Sequence, residues 1–86
     1  MTSATQVYSH EFDADFLKLP LELRLRIQAK VDDLGSRLSS YPHVRLTGLD
    51  CYRVRIGDYR VIYDFDPTKG VIQLLAVGHR RDVYRS

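Results

Sequence analysis

The sequence predicts one α+β domain, in which a short N-terminal strand and a helical hairpin precede an antiparallel three-stranded meander and a short basic C-terminal segment. Apolar residues recur at helical spacing in the first half of the chain, and they alternate with polar residues between turn signals in the second half. A chain of 86 residues has material for one hydrophobic core, so we expect residues 1–86 to fold as a single domain.

The first half is predicted to be mostly helical. Val7 and Tyr8 indicate a short strand, and Ser9 is placed to cap a helix over residues 11–18. Pro20 ends this helix or occupies the first turn of the next one, which is predicted over residues 21–38. Each helix has one apolar face, formed by Phe12, Phe16 and Leu19 in the first and by Leu23, Ile27, Val31, Leu34 and Leu38 in the second. Such a hairpin needs a sheet to cover.

The second half supplies the strands of that sheet. Residues alternate over Tyr52–Ile56, Gly57-Asp58 is a two-residue turn signal, and the alternation resumes over Tyr59–Phe65. A second turn, Asp66–Gly70, leads to the nearly continuous apolar strand Val71–Val77. Because the second turn has five residues, either face of the last strand can meet the helices, and its register stays open.

Composition predicts a cytoplasmic protein without a bound metal or other cofactor. Cys51 is the only cysteine, so no internal disulfide can form. The three histidines, His10, His43 and His79, lie far apart and lack the spacing of metal ligands. The N-terminal residues lack the basic start and apolar run of a secretory signal, and no window approaches the roughly 20 apolar residues that span a bilayer.

Charge is divided unevenly along the chain. Residues 1–42 carry five Lys or Arg and six Asp or Glu, a net charge of −1, whereas residues 43–86 carry eight and five, a net charge of +3. Seven of the eight cations in the second half are arginine, whose planar guanidinium binds phosphate bidentately and keeps its charge. The second half is therefore suited to a polyanion, with a solvated basic face as the alternative.

The first hairpin concentrates this charge. If Gly57-Asp58 is a two-residue turn, Arg55 lies opposite Arg60, and Arg53 lies opposite Ile62 on the same side of the sheet. Like charges placed directly opposite each other cost stability, and no acidic residue on that side is near enough to neutralise all three arginines. Such a cluster is suited to a phosphodiester backbone.

The segment that follows the last strand adds further groups at the same end of the sheet. His79, Arg80 and Arg81 bring cationic and titratable side chains, and Tyr84 brings an aromatic ring. We expect them to close an anion-binding site, in which Tyr84 stacks on a base as exposed aromatic rings do on single-stranded RNA. Arg45, His79 and Arg81 are predicted to contact RNA.

Two stretches resemble the RelE branch of the RelE/ParE toxin superfamily. They are residues 49–63, which read LDCYRVRIGDYRVIY, and residues 77–84, which read VGHRRDVY. The predicted helical hairpin fits the same fold. The resemblance implies the toxin of a type II toxin–antitoxin system, which cleaves mRNA in the ribosomal A site without a metal ion. It also implies a partner antitoxin with a segment that masks the site, and charge complementarity predicts that this segment is acidic.

The resemblance further implies which residues form the catalytic site. They are Arg53, Arg55, Arg60, Arg80 and Tyr84. The RelE pattern has lysines at the first two positions, and an arginine stabilises an anion but effectively cannot accept a proton. Arg55, Arg60 and Arg80 are therefore assigned to the phosphate, Arg80 also to the leaving group, and Arg53 to the 2′-hydroxyl or the backbone. His79 is the alternative acid or base.

Two other functions stay open. A ParE-like inhibitor of DNA gyrase shares the fold and the hairpin of residues 58–63, but inhibition of a protein target does not require Arg53, Arg55 and Tyr84. A non-catalytic RNA-binding module predicts salt-sensitive binding without cleavage.

Overall fold

Two helices pack on one side of a five-stranded mixed sheet in the computed structural model, which describes residues 3–81. The elements are β1 (Thr5–Tyr8), α1 (His10–Leu17), α2 (Leu21–Ser36), β2 (Val44–Arg45), β3 (Tyr52–Ile56), β4 (Tyr59–Asp66) and β5 (Val71–His79). The strand order is β1-β5-β4-β3-β2, with β1 parallel to β5 and every other pair antiparallel. The predicted α+β class and the β3–β4–β5 meander are confirmed.

The sheet is larger than the three-stranded meander that the sequence predicts. The N-terminal strand joins it in parallel along β5, and the two-residue strand β2, which was not predicted, pairs with β3. Two residues are too short a run to show alternation, so β2 leaves no signal in the sequence. No helix within residues 3–81 is both long enough and apolar enough to cross a membrane.

The core lies between the helices and one face of the sheet. Phe12 of α1 and three residues of α2 are buried against alternate residues of the meander, and the core cluster consists of Phe12, Ile27, Val31, Leu34, Leu38, Val54, Ile56, Val61, Tyr63, Ile72, Leu74 and Val77. The apolar faces predicted for both helices are thus confirmed. The helices begin at His10 and Leu21 and end one and two residues before their predicted ends.

Ser9 joins the first helix to the sheet. Its hydroxyl oxygen accepts a hydrogen bond from the backbone N–H of Phe12 at 3.0 Å, which confirms the predicted N-cap. The same hydroxyl donates to the backbone carbonyl of Leu75 in β5 at 2.8 Å. One short side chain therefore satisfies a free N–H at the start of α1 and holds the helix against the middle of β5.

Leu75 is the extra residue of a β-bulge. Ile62 of β4 pairs with Ala76 and the next residue of β4 pairs with Leu74, so Leu75 has no partner in β4. The bulge shifts the alternation of β5, with the result that Val77 faces the core and His79 pairs with Tyr59 on the helix side. Regular alternation from Leu74 would place His79 on the opposite face.

His43 fixes the chain between α2 and β2. Its Nε2 lies 2.7 Å from the carbonyl oxygen of Leu38, which can only accept, so Nε2 carries the proton. Its Nδ1 then accepts from the hydroxyl of Tyr63 at 2.5 Å. The ring also stacks on Phe65, with the ring centroids 3.9 Å apart. Desolvation by burial raises the pKa of the Tyr63 phenol, which keeps this hydroxyl a neutral donor.

Candidate nucleic-acid interface

The β3–β4 hairpin has the predicted two-residue turn and register. Gly57 adopts a φ of 60°, Arg55 pairs with Arg60, and Arg53 pairs with Ile62. Val54 and Val61, one position along from these pairs, are buried beneath the helices. By alternation, Arg53, Arg55 and Arg60 lie together on the opposite side of the sheet, and we call this side the arginine face.

Two arginines of this face, Arg53 and Arg55, keep their positive charge within the described part of the chain. The ion pairs found among residues 3–81 do not include Arg53 or Arg55. Asp64 lies on the same face by alternation, but its Oδ1 accepts from the backbone N–H of Phe65 at 2.8 Å. Arg55 is exposed and Arg53 is half-buried. These two guanidinium groups are therefore free to bind an external anion.

Small and apolar residues adjoin the arginines. Ile62 is only 7% exposed although it lies on the arginine face, a burial that alternation alone did not predict. Ala76 pairs with Ile62, and Gly78 pairs with Arg60. Ala76 and Gly78 have little or no side chain, so β5 places little side-chain bulk next to Arg60.

The C-terminal segment starts beside the hairpin turn. The backbone N–H of Arg80 donates to the carbonyl of Asp58 at 2.8 Å, so Arg80 lies next to the end of the hairpin that carries Arg55 and Arg60. Arg80 and Arg81 are both exposed. Tyr84, predicted as a catalytic residue, lies outside the described residues.

His79 is not brought to the arginine face. It pairs with Tyr59 on the helix side, and the two rings meet edge to face with centroids 5.6 Å apart. Its Nδ1 accepts from the backbone N–H of Arg81 at 3.3 Å. The sequence grouped His79 with the arginines, and the bulge at Leu75 is the physical reason for the difference, since it turns β5 over before His79.

Arg45 is also separate from the arginine face. It pairs with Tyr52 and so lies on the helix side of the sheet. Its Nη2 lies 2.5 Å from Oδ1 of Asp50, and its Nε donates to the carbonyl of Leu49 at 3.2 Å. The guanidinium therefore has partners within its own loop and stays exposed, and its contact with RNA stays a prediction.

Two cations of α2 that were not assigned to the predicted site lie near the hairpin. Arg26 and Lys30 of α2 line a groove beside Arg55, Ile56 and Gly57. Their spacing of four residues on one helix was a signal that they share a face, but only packing shows that this face meets the hairpin. Among residues 3–81, no group of three or more His, Cys, Asp and Glu side chains is arranged to hold a metal ion.

A two-helix α+β domain of this topology, with arginines on the exposed face of its meander, defines the RelE/ParE class of small toxins. The chain belongs to the ParE toxin family, described as the ParE toxin of the type II toxin–antitoxin system parDE, whose model matches residues 7–84. A search of curated protein sequences gave no match.

Solved structures of RelE toxins share this fold. RelE in the intact Escherichia coli RelBE toxin–antitoxin complex is 20% identical, with a TM-score of 0.77 over 90% of this chain and 96% of that one. The Mycobacterium tuberculosis RelBE2 complex gives 25% identity and a TM-score of 0.74 over 95% and 97%. The archaeal RelE–RelB complex from Pyrococcus horikoshii gives 26% and 0.74 over 99% and 100%.

These likenesses agree with the RelE branch that the sequence motifs indicated. The chain is the toxin of a type II toxin–antitoxin system.

Proposed function

We propose that this toxin is an endoribonuclease that cuts mRNA in the ribosomal A site. The observation that supports it best is the placing of Arg53 and Arg55 beside Arg60 on one face, with neither Arg53 nor Arg55 in an ion pair within residues 3–81. The neighbouring guanidinium groups of Arg53 and Arg55 do not stabilise the fold through an ion pair within residues 3–81, and like charges repel. A phosphodiester relieves the repulsion and is held by charge-assisted hydrogen bonds.

Several guanidinium groups around one phosphate stabilise the transition state of RNA cleavage. The 2′-oxygen attacks the adjacent phosphorus and loses its proton, and the 5′-oxygen leaves and gains one. The products carry a 2′,3′-cyclic phosphate and a 5′-hydroxyl. Arg55, Arg60 and Arg80 neutralise the negative charge that develops on the phosphorane oxygens, which is usually the largest contribution to catalysis. Arg53 orients the 2′-hydroxyl, and Tyr84 stacks on the nucleotide.

Alignment of the substrate supplies rate enhancement that the side chains of this site do not supply as bases. Arginine effectively cannot accept a proton, and the ring of His79 packs on Tyr59 at the helix side of the sheet. In-line positioning of the 2′-oxygen and the phosphorus contributes up to about 7–11 kcal/mol in ideal cases. A ribosome that holds the mRNA in that geometry therefore accelerates cleavage, and free RNA should be cut slowly.

Cleavage of a defined mRNA on translating ribosomes tests the proposal. The wild-type chain should cut in the A site and leave a 2′,3′-cyclic phosphate, and Arg55→Thr should lower the rate by about 100-fold or more, the loss typical of one oxyanion-stabilising group. Because Arg55 is exposed and forms no ion pair within residues 3–81, the free energy of unfolding of Arg55→Thr should stay close to that of wild type. Lys69→Thr, on the exposed β4–β5 turn, is the matched control. A variant that loses its cation at position 55 and still cleaves at the wild-type rate would overturn the assignment.

Inhibition of DNA gyrase is the second candidate, because the family model that matches residues 7–84 describes ParE. A supercoiling assay separates the two functions. The RNase proposal predicts that the toxin leaves supercoiling unchanged at concentrations at which it cuts mRNA on ribosomes. Inhibition of gyrase without mRNA cleavage would overturn the RNase proposal in favour of the ParE-like function.

We also propose that an antitoxin with an acidic segment binds this toxin, by analogy with the RelB partners named for the solved RelE complexes. The charges of Arg53 and Arg55, which form no ion pair within residues 3–81, support an acidic segment, since complementary charge favours the encounter.

A further inference from the structure

The arginine face changes the sign of its charge along β4. Arg60 and Asp64 both lie on this face, and Ile62 between them has an apolar side chain. At roughly 3.3 Å per residue, Asp64 lies about 13 Å from Arg60 along the strand. An arginine side chain and a ribose together span most of this distance. A nucleotide whose phosphate is held by the arginines can therefore place its base near Asp64.

A cavity of about 320 Å³ opens at the Asp64 end of this face. We call it the Asp64 cavity, and it is lined by Asp64, Phe65, Asp66, Pro67, Val71 and Gln73. Val7 of β1 is exposed and pairs with Gln73, so it adds an apolar side chain next to the cavity. Apolar walls with a small number of polar groups are typical of sites that bind small molecules.

Asp64 and Gln73 form a cross-strand pair, so their side chains lie side by side at this cavity. Oδ1 of Asp64 accepts from the backbone N–H of Phe65 at 2.8 Å, and the ion pairs found in residues 3–81 do not include this carboxylate. Its other oxygen, Oδ2, is left to accept from a ligand. The amide of Gln73 is exposed and can donate through Nε2 or accept through Oε1.

The second carboxylate of the cavity is used by the β4–β5 turn. Oδ1 of Asp66 accepts from the backbone N–H groups of Thr68 at 3.0 Å and Lys69 at 3.2 Å. The charges of Asp66 and Asp64 together repel a phosphate from this end of the face. The part of a nucleotide that fits here is neutral and presents N–H donors, which describes a base with an exocyclic amino group.

We propose that the Asp64 cavity binds the base of the nucleotide whose phosphate the arginines hold, and that it selects bases with an amino group against uracil. The inference rests on the proposed RNase function and adds what determines its sequence preference. The amino group of cytosine, adenine or guanine donates to Oδ2 of Asp64, and the amide of Gln73 meets the adjacent ring nitrogen. Uracil presents a carbonyl oxygen to the carboxylate instead, and two acceptors repel each other.

Binding of 2′-O-methyl hexamers tests this inference without cleavage. Homopolymers of cytosine and of uracil carry the same base at every position, so the base that enters the cavity is known. Wild type should bind the cytosine hexamer at least about 10-fold more tightly than the uracil hexamer. Asp64→Asn should lower this ratio to about threefold or less, since the Asn amide can donate to O4 of uracil. Fluorescence anisotropy at one fixed salt concentration measures all four affinities.

Asp15→Asn, at an exposed carboxylate of α1 outside the cavity, matches the change in net charge. It should leave the ratio of the two affinities at the wild-type value. Asp64→Asn keeps a side-chain oxygen that can accept from the N–H of Phe65, so the fold should be retained. In NMR spectra of wild type, the cytosine hexamer should shift the side-chain amide signals of Gln73.

Equal affinities of wild type for the two hexamers, or an unchanged ratio in Asp64→Asn, would overturn the inference. Amide signals of Gln73 that do not move with the cytosine hexamer would also overturn it. These outcomes leave the RNase proposal to the ribosome assay, which does not depend on the base preference. A preference for cytosine that Asp64→Asn abolishes, together with no cleavage on ribosomes, would support the cavity as a base-binding site and overturn the RNase proposal alone.

Discussion

The arginine side chains at positions 53 and 55 can bind anions but cannot serve as proton acceptors. A guanidinium stays charged at any physiological pH, so these side chains bind and stabilise anions and leave proton transfer to other groups. The imidazole of His79, the nearest group that could transfer a proton, does not lie on their side of the sheet. It contacts the ring of Tyr59 and the backbone of Arg81. The proposed cleavage would therefore depend on electrostatic stabilisation and alignment of the substrate.

Another single-residue effect concerns the hydroxyl of Tyr63. Tyr63→Phe removes the donor that satisfies Nδ1 of His43, so we expect the free energy of unfolding to fall by about 1–3 kcal/mol, the cost of a buried unsatisfied polar atom. Urea denaturation at pH 7 measures the loss. Tyr59→Phe is the control, because within residues 3–81 the hydroxyl of Tyr59 has no hydrogen-bond partner. Equal stability of the two variants would contradict the role assigned to His43.

Because the pKa of Tyr63 is raised, Tyr63→Phe should also change how the free energy of unfolding depends on pH under alkaline conditions. Burial keeps the folded phenol protonated at a pH where the unfolded chain ionises, so wild-type stability should decline as pH rises above about 10, the ordinary tyrosine pKa. Tyr63→Phe should decline less steeply over that range.

The β-bulge of β5 has the widest consequences among the secondary-structure elements. It lets one strand place Leu74 and then Val77 in the same core, and it directs His79 away from the arginine face. The bulge is secured by Ser9, whose hydroxyl bonds to the carbonyl of Leu75 and whose backbone N–H bonds to the carbonyl of Leu74 at 3.0 Å.

Ser9→Ala should destabilise the protein through this element. It removes both the N-cap of α1 and the bond to the bulge, and we expect a loss of about 1–2 kcal/mol in the free energy of unfolding. Chemical denaturation gives the value, and Ser39→Ala, at an exposed serine whose side chain has no hydrogen bond within residues 3–81, should be nearly neutral. A loss no larger than that of the control would show that Ser9 does not secure α1.

At the scale of the whole molecule, one face of the sheet forms the core and the other carries the candidate site. The helices and the apolar residues beneath them stabilise one face, and the other carries the arginine cluster with Arg80 at its end. Substitutions on the arginine face should therefore change function more than stability. The net charge of +2 does not reveal this division, because eight of the thirteen cations but only five of the eleven acidic residues lie in residues 43–86.

The affinity for a non-cleavable 2′-O-methyl RNA should depend on the positive charge of the arginine face. If three or four arginines each neutralise a phosphate, the slope of log affinity against log salt should be roughly −2 to −3. Arg53→Ala should reduce the size of that slope by about 0.7, whereas Lys18→Ala should leave it unchanged. Fluorescence anisotropy at several salt concentrations measures both slopes, and a slope unaffected by Arg53→Ala would place the RNA elsewhere.

The sequence by itself determined the helices, the meander and the arginine face, because each depends on local chemistry. Ser9 and Pro20 mark helix starts, apolar spacing marks the buried sides, and the Gly57-Asp58 turn sets which residues of β3 and β4 are paired. Only the tertiary structure decided the positions of His79, Arg45, Arg26 and Lys30. A one-residue bulge, a two-residue strand and the packing of α2 beside β3 arise from contacts between distant segments, and such contacts leave no periodic pattern in the sequence.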